Sequence, residues 1–148
     1  MRVAIGCDLA GLPLKEAVQA HLAQIGVECA DFGVHAGEDI DYPDVGHAVA
    51  AQVGRGEFER AILVCGTGIG MAIVANKVPG VRAAVCHDPY SAERARKSND
   101  AQIMALGARV IGPELAKTLT DIWLASEFEG GRSAPKVAKI SALEEVGG

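Results

Sequence analysis

The sequence predicts an α/β fold, a doubly wound, Rossmann-like five-stranded parallel sheet with helices on both faces. Five short apolar runs alternate with segments of helical spacing along the 148 residues. Apolar residues make up 49% of the chain and aromatics only 4%, so the core is built from Ala, Val, Ile and Leu, as in parallel strands covered on both sides. Strands joined by helical crossovers pair in parallel, and the right-handed rule for those crossovers puts helices on both faces. The length fits one domain over residues 1–148, with no repeat, low-complexity tract or linker.

In chain order, Val3 to Cys7 reads as the first strand. Leu12 to Ile25 follows as an amphipathic helix with Leu14, Val18, Leu22 and Ile25 on one face. Val27 to Phe32 is a second strand, and Asp44 to Val53 a helix presenting Val45, Ala48, Val49 and Val53. Ala61 to Cys65 is the third strand and runs into the loop Gly66-Thr67-Gly68-Ile69-Gly70. After a strand from Arg82 to Cys86, Asp88 and Pro89 give an N-cap acceptor and a first-turn proline, starting a helix to about Lys97. The fifth strand is Ile103 to Leu106. Helices over Pro113 to Leu124 and about Ala134 to Glu145 complete the chain.

The net charge of -5 disfavours nucleic acid and anionic membranes as partners. Residues 61–75 are apolar but too short and glycine-rich to span a bilayer, and no secretory leader pattern is present, so a cytoplasmic protein is expected. The four cysteines show neither CxxC nor CxxH spacing, which gives no metal or redox pair; Cys29 and Cys86 read as buried reduced thiols. Cys7 and Cys65 stand apart, each where a strand gives way to glycine.

Ligands of such sheets gather at the carboxyl ends of the strands. There stand Asp8 and Leu9, the loop from Gly33 to Asp41 and Tyr42, Cys65 to Gly70, His87 and Asp88, and Gly107 to Arg109. The loop after Cys65 lacks the G-x-G-x-x-G spacing of a dinucleotide site and the glycine-lysine pair of a Walker loop. It also lacks an arginine six positions after the cysteine, where Met71 stands, so a cysteine phosphatase is excluded. What survives is a thiol beside glycines that admit a ligand to the backbone, with the free N–H groups of a starting helix aimed at the same spot.

Several stretches together resemble the type B ribose-5-phosphate isomerases and the galactose-6-phosphate isomerase subunits of the lactose pathway. They are "IGCDLAG" (5–11), "DYPD" (41–44), "CGTGIGMAIVANKVPGVRAAV" (65–85), "PYSAERARKSNDAQIMALGARVIG" (89–112) and "EFEGGR" (127–132). The resemblance implies a cofactor-free aldose-ketose isomerase of phosphorylated sugars working through a cis-enediolate. It also implies a homodimer or homotetramer whose site is shared between subunits. Cys65 matches the family's base, and Met71 to Lys77 contain no carboxylate to replace it. The backbone of Gly66, Thr67, Gly68, Ile69 and Gly70 would hold the enediolate, with the Thr67 hydroxyl near the sugar. Asp8, Leu9, Tyr42, Ser98 and Asn99 match sugar-contacting positions, Asn99 reaching in from the partner subunit. Arg109, Arg132 and Lys136 match the cations that hold the phosphate, the lysine being a point charge where an arginine would grip in two places.

Three histidines common in relatives are replaced, by Leu9, Ser98 and Ser133. The one before Asn99 is the expected catalyst of furanose opening; His87 is a possible substitute, while His21, His35 and His47 receive no role. The pair ribose 5-phosphate and ribulose 5-phosphate is the leading expectation. The alternatives are a tetrose or hexose phosphate, the tetrose having no furanose to open, and a sugar-phosphate-binding subunit without activity.

Overall fold

The computed structural model describes residues 1–147. Its elements are β1 (Arg2–Cys7), α1 (Leu12–Gln24), β2 (Glu28–Asp31), α2 (Tyr42–Gly54), β3 (Arg60–Cys65), α3 (Ile69–Ala75), β4 (Ala83–Val85), α4 (Pro89–Lys97), β5 (Ile103–Gly107), α5 (Pro113–Ala125) and, after a short 3₁₀ turn at Gly131–Ser133, α6 (Ala134–Gly147). Among the described residues the five strands form one sheet in the order β2-β1-β3-β5-β4, and every pairing is parallel. Helices α1, α4 and α5 pack together on one face and α2 with α3 on the other, so the doubly wound expectation holds. None of the described helices is long and apolar enough to cross a membrane.

The core lies where the composition places it. Central strand β3 is buried along its whole length, and β5 likewise, with Ile62, Leu63, Ile103, Met104 and Leu106 wholly inaccessible. Such continuous apolar runs are what a strand covered on both faces requires. The edge strands β2 and β4 are only half-buried.

Two helix faces differ from the periodic reading. Helix α1 ends at Gln24, which leaves Ile25 as an exposed cap residue, while Lys15 goes inside with only 1% of its surface accessible. Its ammonium donates 2.7 Å hydrogen bonds to Asp31 Oδ1 and the Val34 carbonyl. Burial alone would raise the Asp31 pKa, but hydrogen bonds from Lys15, the Gly33 N–H and Gln19 outweigh it and hold the carboxyl below its ordinary value. The pair thus fastens the start of the loop that leads to Tyr42. Helix α2 begins at Tyr42 rather than Asp44, and Gly46 and Ala50 replace the exposed Ala48 on its buried face. Gly46 is there because a Cβ would meet the Met71 sulfur at 2.9 Å.

A second buried cation ties the far end of α5 to the sheet. Arg60, 2% exposed, donates from Nη1 to the Trp123 and Leu124 carbonyls and from Nη2 to the Ser126 carbonyl and Glu127 Oε1, at 2.7 to 3.0 Å. The Trp123 carbonyl also takes a long bond of 3.3 Å from the Ser126 cap N–H, and the guanidinium completes the C-cap by donating to the carbonyls that follow. Removing it strands several acceptors in a dry environment. Arg60→Leu is therefore expected to lower the unfolding free energy by about 3 kcal/mol, read from urea denaturation.

Candidate functional site

Strands β1 and β3 are neighbours in register, Cys7 opposite Val64, and their helices leave toward opposite faces. The resulting crevice holds Asp8 just past β1 and Cys65 at the end of β3, as the switch-point rule expects. A cavity of about 450 Å³ opens there, lined by Asp8, Tyr42, Cys65, Thr67, Gly70 and Arg109 among others. A second hollow of about 410 Å³ adjoins it, sharing Asp8, Tyr42 and Arg109 and adding Leu9, Asp39 and Asp41.

The loop after Cys65 is held by backbone contacts that only glycine permits. Gly68 has φ +79°, and a Cβ on it would stand 3.0 Å from the Leu106 backbone; one on Gly107 would stand 2.7 Å from the Thr67 backbone. The loop therefore lies directly on β5. Gly107 pairs with Cys65 across the ladder, and Ala108 and Arg109 donate to the Cys65 and Gly66 carbonyls at 2.9 Å. Those two bonds bring the Arg109 guanidinium against Gly66. Gly70 has a different reason, since any Cβ would overlap the Tyr42 ring that closes the cavity.

Within the loop the Gly68 N–H donates to Cys65 Sγ at 3.1 Å, and the Ile69 N–H donates to Thr67 Oγ1 at 3.2 Å. Gly68 and Ile69 are thus engaged by the loop's own side chains, whereas the sequence reading has them free for a ligand. The first-turn N–H groups of Gly70 and Met71 have no carbonyl partner within α3. Asp8 is divided in the same way: its Oδ1 accepts from the Gly11 N–H at 3.0 Å, leaving Oδ2 for the cavity.

The four thiols separate clearly. Burial pushes Cys7 and Cys29 up to about 11 and Cys86 to about 12, where the reactive thiolate is scarce at neutral pH. Cys29 is half-buried rather than buried, being on an edge strand. Cys65 alone of the four lines the cavity. No three His, Cys, Asp or Glu side chains gather to hold a metal ion among the described residues.

His87 lies outside the cavity. Its Nε2 accepts from the Gly107 N–H at 2.9 Å, so the ring is a neutral tautomer with the proton on Nδ1. Burial lowers its pKa, against a smaller opposing pull from Asp88. His21 pairs with Asp121 and His35 with Glu38, away from the cavity.

The remaining expected site residues are at the other end of the sheet. Helix α4 runs back against the strands, so Ser98 and Asn99 follow its last turn beside the starts of β4 and β5, where Arg82 Nε donates to the Asp100 carbonyl. The segment carrying Arg132 is tied there by the Glu129 N–H, which donates to the Lys97 carbonyl at 3.1 Å; Arg132 and Lys136 are exposed. A strand of five residues spans on the order of 17 Å, which separates these groups from Cys65 within one chain. Sequence reasoning misses Ile73 in the cavity wall; its signal is the spacing of four from Ile69 on α3, both more than half exposed.

The fold and site define a class: a doubly wound α/β protein whose switch-point crevice joins a thiol, a carboxylate, a phenol and a guanidinium over a glycine-rich backbone. The chain belongs to the Ribose/Galactose Isomerase family, whose model matches residues 3–140. It is 56% identical over 145 residues to a D-erythrulose-4-phosphate isomerase of Pectobacterium atrosepticum, covering 97% of this chain and 95% of that one. It is 53% identical to a ribose-5-P isomerase B of Listeria innocua, covering 99% and 97%. The solved ribose-5-phosphate isomerase B of Clostridium thermocellum superposes with a TM-score of 0.97 at 49% identity over the whole of both chains.

The lowered pKa of His87 has a consequence for stability. Between that value and the ordinary 6.5, the unfolded chain binds more protons than the folded one, so this contribution is complete above pH 6.5 and declines as the pH falls toward the lowered value. His87→Leu, which removes the acceptor of the Gly107 N–H, is expected to lower Tm at pH 7.5. The gap to the unsubstituted protein should narrow at pH 5.5, as thermal unfolding at the two pH values would reveal.

Proposed function

We propose that this chain, a sugar-phosphate isomerase, interconverts a phosphorylated aldose and its ketose through a cis-enediolate with Cys65 as the base. The observation that carries the reading is the place of Cys65 in the wall of a cavity whose other lining includes Asp8, Tyr42 and the glycine loop. Moving a proton between adjacent carbons needs a base within reach of both and donors for the oxyanion that forms. In this reading the Gly68 N–H steadies the sulfur as its charge changes. The open N–H groups of the loop face the enediolate oxygens, and Thr67, Asp8 and Tyr42 contact sugar hydroxyls. No step needs a cofactor, because the electron pair stays within the substrate's two carbons.

Leu9, Asp39 and Asp41 edge the adjoining hollow, where the carboxylates repel a phosphate dianion. Arg109 is the cation nearest the reacting end; Arg132, Lys136, Ser98 and Asn99 reach a site only on another copy. This favours a homodimer or homotetramer with shared sites. Ile69 and Ile73 beside the cavity, and Ile140 and Leu143 on α6, are large apolar side chains left exposed for such a contact. A cytoplasmic setting suits four free cysteines.

Ribose 5-phosphate and ribulose 5-phosphate are the leading pair, in keeping with the relatives so named. A four-carbon pair is the second reading, and two observations favour it. No histidine lines the cavity and His87 is turned into the Gly107 backbone, whereas a tetrose 4-phosphate carries its phosphate on the oxygen that would close a furanose and needs no ring opening. The 56% identical relative bears a four-carbon name.

A panel of ribose 5-phosphate, erythrose 4-phosphate and hexose 6-phosphates with their ketoses separates the readings. Pentose turnover supports the first, and turnover of erythrulose 4-phosphate without it replaces the first by the second. Cys65→Ala should reduce kcat by about a thousandfold on the active pair while leaving substrate affinity within about twofold. Retained turnover would remove Cys65 as the base, and binding without turnover of any sugar in the panel would leave a binding subunit instead.

A further inference from the structure

We infer that Arg94 is a positioning residue that clamps the turn carrying Ser98 and Asn99 to the segment carrying Arg132, so that the three act as one unit toward substrate. The inference rests on the reading above, in which these residues serve a second copy's site. It starts from two elements with no sheet contact between them. The α4–β5 turn and the stretch after α5 are joined where the Glu129 N–H meets the Lys97 carbonyl. Arg94 spans the same junction with its side chain: Nε donates to Ser98 Oγ at 2.8 Å and Nη2 to Glu129 Oε1 at 3.0 Å. Its own carbonyl accepts from the Ser98 and Asn99 N–H groups at 2.8 and 3.3 Å. One residue therefore holds the start of the turn, at Ser98 and Asn99, and Glu129 of the neighbouring segment.

Chemistry adds a direction to the geometry. Arg94 can only donate, so Ser98 Oγ is an acceptor in this bond and its own proton is free to point outward, toward a phosphate or sugar oxygen. Gly130 and Gly131, both at positive φ, lead from Glu129 into a tight turn closed by the Ser133 N–H on the Gly130 carbonyl at 3.0 Å, so Arg132 is carried on the anchored Glu129. A planar guanidinium can hold two partners in fixed directions at once, which a lysine ammonium cannot do with the same geometry. Around Arg94 the other charges are Glu93, 3.7 Å from Nη1, and Lys97, which Glu93 also engages at 3.5 Å. Neither reaches Glu129; Arg96, also on α4, makes a parallel bridge from Asp100 at 3.1 Å to Glu127 at 3.8 Å, but it touches neither Ser98 nor Glu129.

Steady-state kinetics of the full chain on the sugar phosphate it turns over tests this. Arg94→Met, which keeps the apolar stem, is expected to raise KM about tenfold with kcat within about twofold, because Cys65 is at the other edge of the sheet. Arg94→Lys should fall between the two. Glu129→Ala, an exposed change that removes the acceptor of the same clamp should Arg94→Met fold poorly, is expected to raise KM as well, and the double variant should be no worse than Arg94→Met alone. An unchanged KM in the folded variants, a fall in kcat at constant KM, or additive effects would overturn the inference. Arg132→Met separates it from the underlying reading: a raised KM there with an unchanged KM in Arg94→Met overturns the clamp alone, and no effect of Arg132→Met overturns the reading of the phosphate grip as well.

Discussion

The site depends on a backbone-to-backbone approach. The loop after β3 lies on the end of β5 with no side chain between them, at Gly68 against Leu106 and at Gly107 against Thr67. From that contact follow the αL turn that starts α3, the aim of the Gly68 N–H at Cys65 Sγ, and the ladder bonds that carry Arg109 to the cavity. A methyl group at either glycine would push the loop off the sheet, because both neighbours are backbone atoms that cannot rotate away. The thiol, its hydrogen-bond donor and the nearest cation are therefore set by one packing constraint.

Two buried cations extend the arrangement to the rest of the fold. Lys15 secures the chain just after β2, from which the segment to Tyr42 departs, and Arg60 secures the end of α5, from which the segment to Arg132 departs. Each satisfies backbone carbonyls that no helix or strand can satisfy, which is the use of a buried charge that does not waste its desolvation. Neither touches the cavity. They act on it by fixing where irregular chain leaves regular structure, at opposite edges of the sheet.

Much of this is legible in the sequence. The strands lie within a residue or two of the apolar runs, since a fully buried strand cannot be written without one, and Asp88 caps α4 through the Ser91 N–H at 2.8 Å as its position before proline suggests. Tertiary contact overrides helical periodicity at Ile25, which falls past the end of α1, and at Ala48, whose place on the inner face goes to Gly46 and Ala50 because Met71 and its neighbours press on that side. Lys15 is invisible to a hydropathy pattern because its partners, Asp31 and the Val34 carbonyl, are far along the chain. His87 is ambiguous in sequence for the same reason: only the Gly107 N–H decides whether its nitrogen faces a ligand or a strand.

The sequence by itself determined the alternation of strands and helices, the delivery of Asp8, Cys65 and Arg109 to one edge, and the glycines that let the loop close on the sheet. These are local properties, written in hydrophobic period and in backbone freedom. Only the tertiary structure decided that β5 is interior and β4 the edge, that Gly68 and Ile69 spend their donors on the loop itself, and that Ser98, Asn99, Arg132 and Lys136 gather far from Cys65. Strand order, donor occupancy and the edge on which a helix ends depend on contacts between segments distant in sequence, and no window along the chain contains both partners.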